Sequence, residues 1–408
     1  MKPAVLFVHN AFPGQFGDLA AALAARGVDV AAIGEGHAPG VPGIKIARYA
    51  IPRSSTPGIF PLAAGPEADM IRAVGALDAA RELKAQGFAP QVIVGHATWG
   101  ETLLLHEAFP DARQVIYPEF FPRGRGLQLD FDPEFPPSDQ QVLSTWALGA
   151  PKALALTDAD AIVCPTEFQA SMLPDVFRPR VRIIHEGIDV DAIRPGLAPR
   201  LQFGDGRTIE PGQPVITHIN NHLEPVRGLH IFARALPRVL EVVPNAQVMI
   251  FGHERALSYS GPPPEGAASW KEACLRGVDL DPARVHFIGY VPFGQILGTL
   301  RASAAHVYYS YPFVLSWSVL QAMAAGCYVI GSDTAPVREV IEDGVNGRLL
   351  PFFDVGALSQ ALIEACRDPA ASAPMRAAAR ETAERYSTAN GRAGWLALLA
   401  ELGVKVEG

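Results

Sequence analysis

The chain alternates short apolar runs with longer segments of mixed polarity. Ala4–Val8 reads as a strand, Phe12-Pro13-Gly14-Gln15-Phe16 as a loop, and Asp18–Arg26 as a helix stopped by Gly27. Val28–Ile33, Gln91–Val94, Val115–Tyr117, Ala161–Cys164 and Val181–Ile184 continue the series of apolar runs. Near Arg194-Pro195-Gly196 the pattern breaks into a stretch rich in Gly, Pro and polar residues, 196–214, read as a linker or hairpin. Then the alternation restarts: strand Val215–Ile219, helix Leu229–Val242, strands Gln247–Phe251, His286–Ile288, His306–Tyr309 and Tyr328–Ile330. Strands alternating with helices predict parallel sheets with helices on both faces. Two such series predict two Rossmann-like halves, with ligands beyond the carboxyl ends of the strands.

Composition narrows the class. The chain has 408 residues, 49% hydrophobic and 19% charged, which suits a globular protein of two or three domains. Its net charge of −8 argues against a general nucleic-acid binder, which needs a basic surface. The four cysteines form no CxxC pair, so no zinc site or disulfide framework is expected. The first apolar run is too short for a signal peptide. Ala302–Ser332 carries no Asp, Glu, Lys or Arg, but Pro312, Gly326, Gln321 and several serines mark it as buried strand, loop, helix and strand, not a membrane helix.

Two loops could carry chemistry. Tyr311 to Gly326 follows a strand and enters a short helix, where Ser316 or Ser318 can cap. The backbone N–H groups at such a start form an anion site. With Ser318 as cap, Gln321 would complete a capping box. Asn220 to Gly228 also links a strand to a helix. Arg227 beside a helix start is electrostatically unusual, and a phosphate partner would account for it. Asp158-Ala159-Asp160 ends a helix before a strand, and Asp130, Asp132 and Glu134 read as a solvated acidic loop; neither is expected to hold a metal. Of eleven histidines, His96 stands out because it follows a predicted strand end facing the cleft.

These segments carry a resemblance. The carboxyl half, with Ser332-Asp333-Thr334-Ala335-Pro336-Val337-Arg338-Glu339 through Gly347 after the short helix, resembles the retaining family-4 glycosyltransferases of the GT-B fold. His185-Glu186-Gly187-Ile188-Asp189 is similar to that family's hinge signature. His9 to Phe16, His96 to Glu101, Tyr117 to Phe121 and Phe131 to Pro136 resemble a bacterial branch associated with surface polysaccharide assembly. Against the family pattern, Phe313 and Gln321 replace two glutamates, and Asn221 and His222 stand where an arginine is expected.

The resemblance implies an α/β protein of GT-B type, with two Rossmann-like doubly wound domains facing each other across a cleft. Residues 1–195 would form an acceptor-side domain, 196–388 a nucleotide-sugar domain, and 389–408 a helix crossing back to the first. The implied reaction moves a sugar from a nucleoside-diphosphate sugar to a hydroxyl of a glycan or lipid-linked saccharide, with retention. Arg227, His96 and Glu119 would be catalytic. Gly14, Gln15, Asn221, His222, Gly252, Val314, Leu315, Ser316, Trp317 and Gln321 would bind donor. No metal or cofactor is expected beyond the nucleotide-sugar co-substrate, and no nucleic-acid partner. The implied location is cytoplasmic, with Arg123 and Arg125 beside Phe120 and Phe121 available for peripheral contact at the inner face of a membrane. A non-catalytic nucleotide-sugar or glycan-binding homologue, or a nucleotide-sugar epimerase on the same fold, is the alternative.

Overall fold

The computed structural model describes residues 2–202, 206, 208–254 and 259–405. The chain divides into two compact units, Met1–Gly187 with Thr388–Gly408, and Ile188–Ser387.

The first unit holds strands β1 (Ala4–Val8), β2 (Asp29–Glu35), β3 (Lys45–Tyr49), β4 (Val92–His96), β5 (Arg113–Tyr117), β6 (Ala161–Cys164) and β7 (Val181–Ile183). They form one parallel sheet in the order β3-β2-β1-β4-β5-β6-β7. Alternate residues of β1 feed opposite cores, because side chains leave a strand on alternating faces. Val5 and Phe7 pack with Phe16, Leu23 and, from the C-terminal helix Thr388–Glu401, Trp395 and Leu398. Ala4, Leu6 and Val8 pack with Ala76, Ala80 and Leu83 of the long helix Ala64–Ala85. Both faces are covered, which explains why β1 reads as a continuous apolar run.

The helix Asp139–Thr157 starts at a capping box between Ser138 and Gln141. It is polarised the wrong way round for a surface helix. Leu143, Trp146 and Leu154 are exposed, whereas Lys152, its one basic residue, is buried.

The second unit begins with a short antiparallel pair, β8 (Leu201–Gln202) and β9 (Thr208–Ile209), so the polar stretch contains a hairpin. Then come β10 (Val215–His222), β11 (Gln247–His253), β12 (Val285–Gly289), β13 (Ser303–Tyr308), β14 (Val329–Ser332) and β15 (Arg348–Leu350). Their sheet is parallel, in the order β12-β11-β10-β13-β14-β15. The charge-free stretch from 302 to 332 is strand β13, a loop, the helix Trp317–Ala324 and strand β14. No described helix is long and apolar enough to cross a membrane.

In each sheet the strand order reverses at one place: between β1 and β4 in the first unit, and between β10 and β13 in the second. Connections from these neighbouring strands leave in opposite directions, opening a crevice at their carboxyl ends.

Candidate functional site

At the first reversal, β1 ends in Val8 and delivers His9, while β4 ends in His96. The two rings meet edge to face, 4.9 Å apart. Trp99 stacks on His96 at 4.8 Å. Backbone groups set both tautomers. The Ala11 N–H donates to His9 Nδ1 (3.0 Å) and the Thr98 N–H to His96 Nδ1 (3.3 Å), so in the neutral rings each Nε2 carries the proton. His9 Nε2 then donates to Gln15 Oε1 (3.0 Å), and Gln15 Nε2 donates to Glu119 Oε1 (3.1 Å). His96 Nε2 stands 3.5 Å from Glu119 Oε2. Gln15, His96 and Glu119 therefore converge, and His9 closes the group.

The backbone is shaped around this group. Gly14 lies at φ +49°, and a Cβ there would come within 2.3 Å of the His9 ring, so only glycine fits. Glu119 lies at φ +52°, the one described non-glycine residue with positive φ. The Phe120 N–H closes a three-residue turn onto the Pro118 carbonyl, and Gln169 Nε2 donates to the Glu119 carbonyl (2.6 Å). Strain of this kind persists only where neighbours hold it.

Burial, and then the neighbouring His96, push the His9 imidazole down to about 3, so it stays neutral. Burial acts to raise the Glu119 carboxyl, but the neighbouring His96 Nε2–H and then the Lys152 ammonium outweigh it and hold the carboxyl below its ordinary value.

At the second reversal β10 carries Asn220, Asn221 and His222 at its carboxyl end, where its register against β11 shifts. The chain then passes through Pro225–Arg227 and Gly228 into the helix Leu229–Val242. Gly228 has φ +71°, and a Cβ would lie 2.4 Å from the Tyr309 Cβ, so this reversal also demands glycine. It turns Arg227 inward.

Arg227 is 4% exposed, so it is not a solvated surface side chain. Its Nη1 donates to Tyr308 Oη (3.1 Å), Ser310 Oγ (2.8 Å) and the Val314 carbonyl (3.0 Å). The rings of Phe313, Tyr259 and Tyr308 lie 5.2, 6.0 and 6.0 Å from the guanidinium carbon. Among the described residues its hydrogen-bond partners are all neutral. A buried cation held only by neutral groups is costly, and an anion is what would balance it.

Asn221 Nδ2 donates to Tyr259 Oη (3.3 Å), and His222 meets the Tyr259 ring edge-on at 5.3 Å. Gly252 backs this loop: a Cβ there would lie 2.9 Å from Leu223 Cδ2. The helix Trp317–Ala324 is capped by Ser316, whose Oγ accepts from the Ser318 N–H (3.3 Å). Ser318 is thus the second helical residue, and the expected Ser318–Gln321 capping box does not form. Ser316 spends its own N–H on Tyr308 Oη (2.8 Å), so it leaves the set of N–H groups open to an anion. Val314 and Leu315 lie in the preceding loop, and Trp317 is partly exposed. Gln321 is the fifth residue of the helix and partly buried.

Of the acidic loop expected to be solvated, Glu134 is exposed but Asp132 is buried (3% exposed), because the chain folds its side chain inward, so the solvated reading is corrected at Asp132. Asp160 pairs with Arg113 (2.6 Å) and accepts the Gln114 N–H, tying β5 to the turn before β6. Asp130 accepts the Gly126 N–H, and Asp132 the Glu134 N–H. Arg123 donates to the Met172 carbonyl, and Arg125 stands 3.8 Å from Asp139. His9, Tyr259, Tyr308 and Ser310 were not singled out as site residues. The signal for His9, and for Tyr308 and Ser310 around the end of β13, was position beside an order reversal.

Comparison with known proteins agrees in both units. Residues 26–193 match the model of the glycosyl transferase family 4 group, and residues 213–368 that of glycosyl transferases group 1. A D-inositol 3-phosphate glycosyltransferase of Mycolicibacterium smegmatis is 25% identical over 57% of this chain and 51% of its own length. A phosphatidyl-myo-inositol mannosyltransferase of Mycobacterium leprae is 29% identical over 50% and 49%. The match thus spans about half the length of these curated relatives. Among solved structures, sucrose-phosphate synthase of Thermosynechococcus elongatus superposes with a TM-score of 0.69 at 16% identity, covering 98% of this chain and 99% of its own. HepE of Anabaena, solved with UDP and glucose, gives 0.66 at 15% identity, covering 98% and 100%. With two parallel α/β units and family models matching in chain order, the protein belongs to the glycosyltransferases, its first unit of the family 4 group and its second of group 1, on a GT-B fold.

Proposed function

We propose that the protein transfers a sugar from a nucleoside-diphosphate sugar to a hydroxyl of a glycan or lipid-linked saccharide, with retention and without a metal. The second unit would bind the donor and the first the acceptor. The observation that carries this reading is Arg227, buried at the strand-order reversal and bonded, among the described residues, to neutral oxygens. As the bond between the anomeric carbon and the diphosphate oxygen breaks, the electron pair stays on the diphosphate. A preorganised guanidinium stabilises that charge without reorganisation cost. Backbone N–H groups of Val314, Leu315 and Trp317 would add to it, and Asn221, His222 and Gln321 would contact the donor. His96, with its proton on Nε2, and the ionised Glu119 present a donor and an acceptor suited to the hydroxyls of the transferred sugar. Gly14 and Gln15 shape that end.

HepE has been solved with UDP-glucose, which makes a uridine nucleotide the first donor to try. The names of the curated relatives make an inositol phosphate or phosphatidylinositol the first acceptors. A cytoplasmic location at the inner face of a membrane would suit a lipid-linked acceptor. Asn221, an amide held by Tyr259 where the family pattern has an arginine, favours a second reading, a nucleotide-sugar-binding homologue without turnover.

A thermal-shift screen with UDP, GDP, dTDP and their sugars, followed by turnover assays, tests both readings. Saturation at 100-fold the dissociation constant stabilises by about 2.7 kcal/mol. Stabilisation with transfer supports the enzyme; stabilisation without transfer to any hydroxyl supports the binding homologue. If no nucleotide raises the midpoint, both fall.

A further inference from the structure

The helix Asp139–Thr157 carries its one basic side chain inward. Lys152 is 7% exposed, yet no carboxylate among the described residues pairs with it within 4 Å. Its one hydrogen bond goes from Nζ to the Thr98 carbonyl (3.4 Å). Burying an ammonium with so little compensation is expensive, and a neutral side chain would pack there more favourably.

The partner of that one bond is informative. The peptide group of Thr98 offers its carbonyl to Lys152 and belongs to the same residue whose N–H donates to His96 Nδ1. His96 Nε2 in turn faces Glu119. A continuous path therefore runs from a buried cation, through one residue of the loop after β4, to the histidine and carboxylate at the carboxyl ends of the strands.

We propose that Lys152 is a positioning residue, which anchors the loop at Thr98 and thereby fixes the tautomer and orientation of His96 against Glu119. This rests on the proposed role of His96 and Glu119 in sugar contact, but the structural claim stands apart from turnover.

The electrostatic surroundings agree. The charged groups acting on Lys152 are Asp69 of the long helix, Glu119 after β5, and Glu101 after β4. The titratable groups acting on Glu119 are His96, Lys152 and His9, of which His9 is neutral. Glu101 is fully buried and accepts from Tyr49 Oη (2.6 Å), with its Oε2 unpartnered; Asp69 Oδ2 is also unpartnered. Burial raises Asp69 to about 6, against the pull of Lys152 and Arg72. Burial also lowers Lys152 below its ordinary value, against the three carboxylates. The ammonium is the central positive charge of a buried acidic neighbourhood, so its removal should be felt at Glu119.

The test uses the full chain labelled with 15N-histidine and 13C-glutamate, comparing wild type, Lys152→Met and Lys152→Arg. In the wild type His96 should show the Nε2–H tautomer. Lys152→Met should give a mixture of tautomers and raise the Glu119 titration midpoint, and Lys152→Arg should restore both. Where transfer is measurable, kcat should fall by about ten- to a hundredfold in Lys152→Met with KM for the donor unchanged. An unchanged His96 tautomer and Glu119 titration in folded Lys152→Met overturns the inference. If Lys152→Met does not fold, the wild type decides: the His96 nitrogen shifts should move as the Lys152 ammonium titrates at high pH, and their indifference overturns the inference. Changed tautomers in a protein without transfer would leave the Lys152 inference standing and sink the proposed function instead.

Discussion

The two strand-order reversals solve opposite electrostatic problems. In the first unit an anionic carboxylate, Glu119, is ringed by groups that satisfy it: Gln15, His96 and, further off, Lys152. In the second a cation, Arg227, is buried among hydroxyls, a carbonyl and aromatic faces, with no carboxylate among its hydrogen-bond partners in the described residues. The first arrangement is close to balanced by itself and suits neutral hydroxyl-bearing ligands. The second is unbalanced until an anion arrives. On the proposed function, one fold would thus separate recognition of polar hydroxyls from recognition of charge.

The largest effect should appear on acidification, and it weighs more on the second unit, which buries two such rings against one. His218 and His306 lie fully buried in β10 and β13, where burial lowers them to about 4 and about 3. His218 bonds the Val307 carbonyl and Asn220, and His306 bonds Thr217. The first unit has His9 in the same condition. In the unfolded chain these rings protonate near pH 6.5, whereas in the folded units they stay neutral. The unfolded state therefore binds more protons as pH falls from 6.5, and stability falls with it, by about 1.4 kcal/mol per pH unit for each ring until its folded value is reached. Urea unfolding at pH 6.5, 5.5 and 4.5 should show this slope, and His306→Leu should flatten it by one ring's worth. A slope unchanged by that substitution would remove His306 from the account.

Next in size is Arg227→Met. Losing charge-assisted hydrogen bonds should weaken nucleoside-diphosphate binding by about 1.5–3 kcal/mol, while nucleoside binding stays as it was. Because the cation is unbalanced in the free protein, the same variant should melt no lower, and even higher, than wild type without ligand. Calorimetry with diphosphate and nucleoside, beside unliganded melting, checks both halves. Equal diphosphate affinity in wild type and variant would make the two reversals alike.

Glu119→Gly sharpens the contrast from the other side. At φ +52° a glycine relieves strain of about 1 kcal/mol, offset by lost bonds to Gln15. Thermal stability should therefore change little, while binding of the sugar portion of the donor weakens and diphosphate binding is unaffected. A parallel loss of diphosphate affinity would show that Glu119 acts on charge after all.

Much of this architecture was legible in the chain. β1 and β6 fall where the apolar runs place them, and so does the helix Leu229–Val242, because buried parallel strands and a strongly amphipathic helix leave unambiguous patterns. β3 and β15 were missed. Lys45–Tyr49 alternates polar and apolar at a sheet edge, and Arg348–Leu350 is three residues long. Arg227 was found because a cation beside a helix start is locally odd. His9 enters only within the stretch His9 to Phe16 that resembles the bacterial branch, and Lys152 carries no local signal, since their roles depend on strand order and on which face of a helix points inward. Neither is a local property. The Ser318–Gln321 box failed because the cap lies two residues earlier than Ser318, at Ser316.

The smallest expected effect concerns Gln321. It sits one turn into the helix Trp317–Ala324, just beyond the loop whose Val314 carbonyl holds Arg227. A side chain there can reach a ribose one group away from phosphates bound at that loop. Glutamine offers its carbonyl alone as acceptor, whereas a carboxylate offers two oxygens and bonds roughly twice as strong. Against this stands repulsion between the carboxylate and the donor's own charge. That repulsion is largest if Arg227 is the one cation near the donor, since Asn221 supplies none. In a donor bound there the ribose hydroxyls would lie between carboxylate and phosphates, and Coulomb repulsion falls with that distance while the hydrogen bonds are direct. Gln321→Glu should therefore tighten donor binding by about 0.5–1.5 kcal/mol, the worth of one ordinary hydrogen bond, without disturbing the fold. Calorimetry of both forms with the best donor from the screen reads this directly. Weaker binding by the glutamate form would mean that repulsion wins, and that the second reversal has been tuned to one cation and no opposing carboxylate.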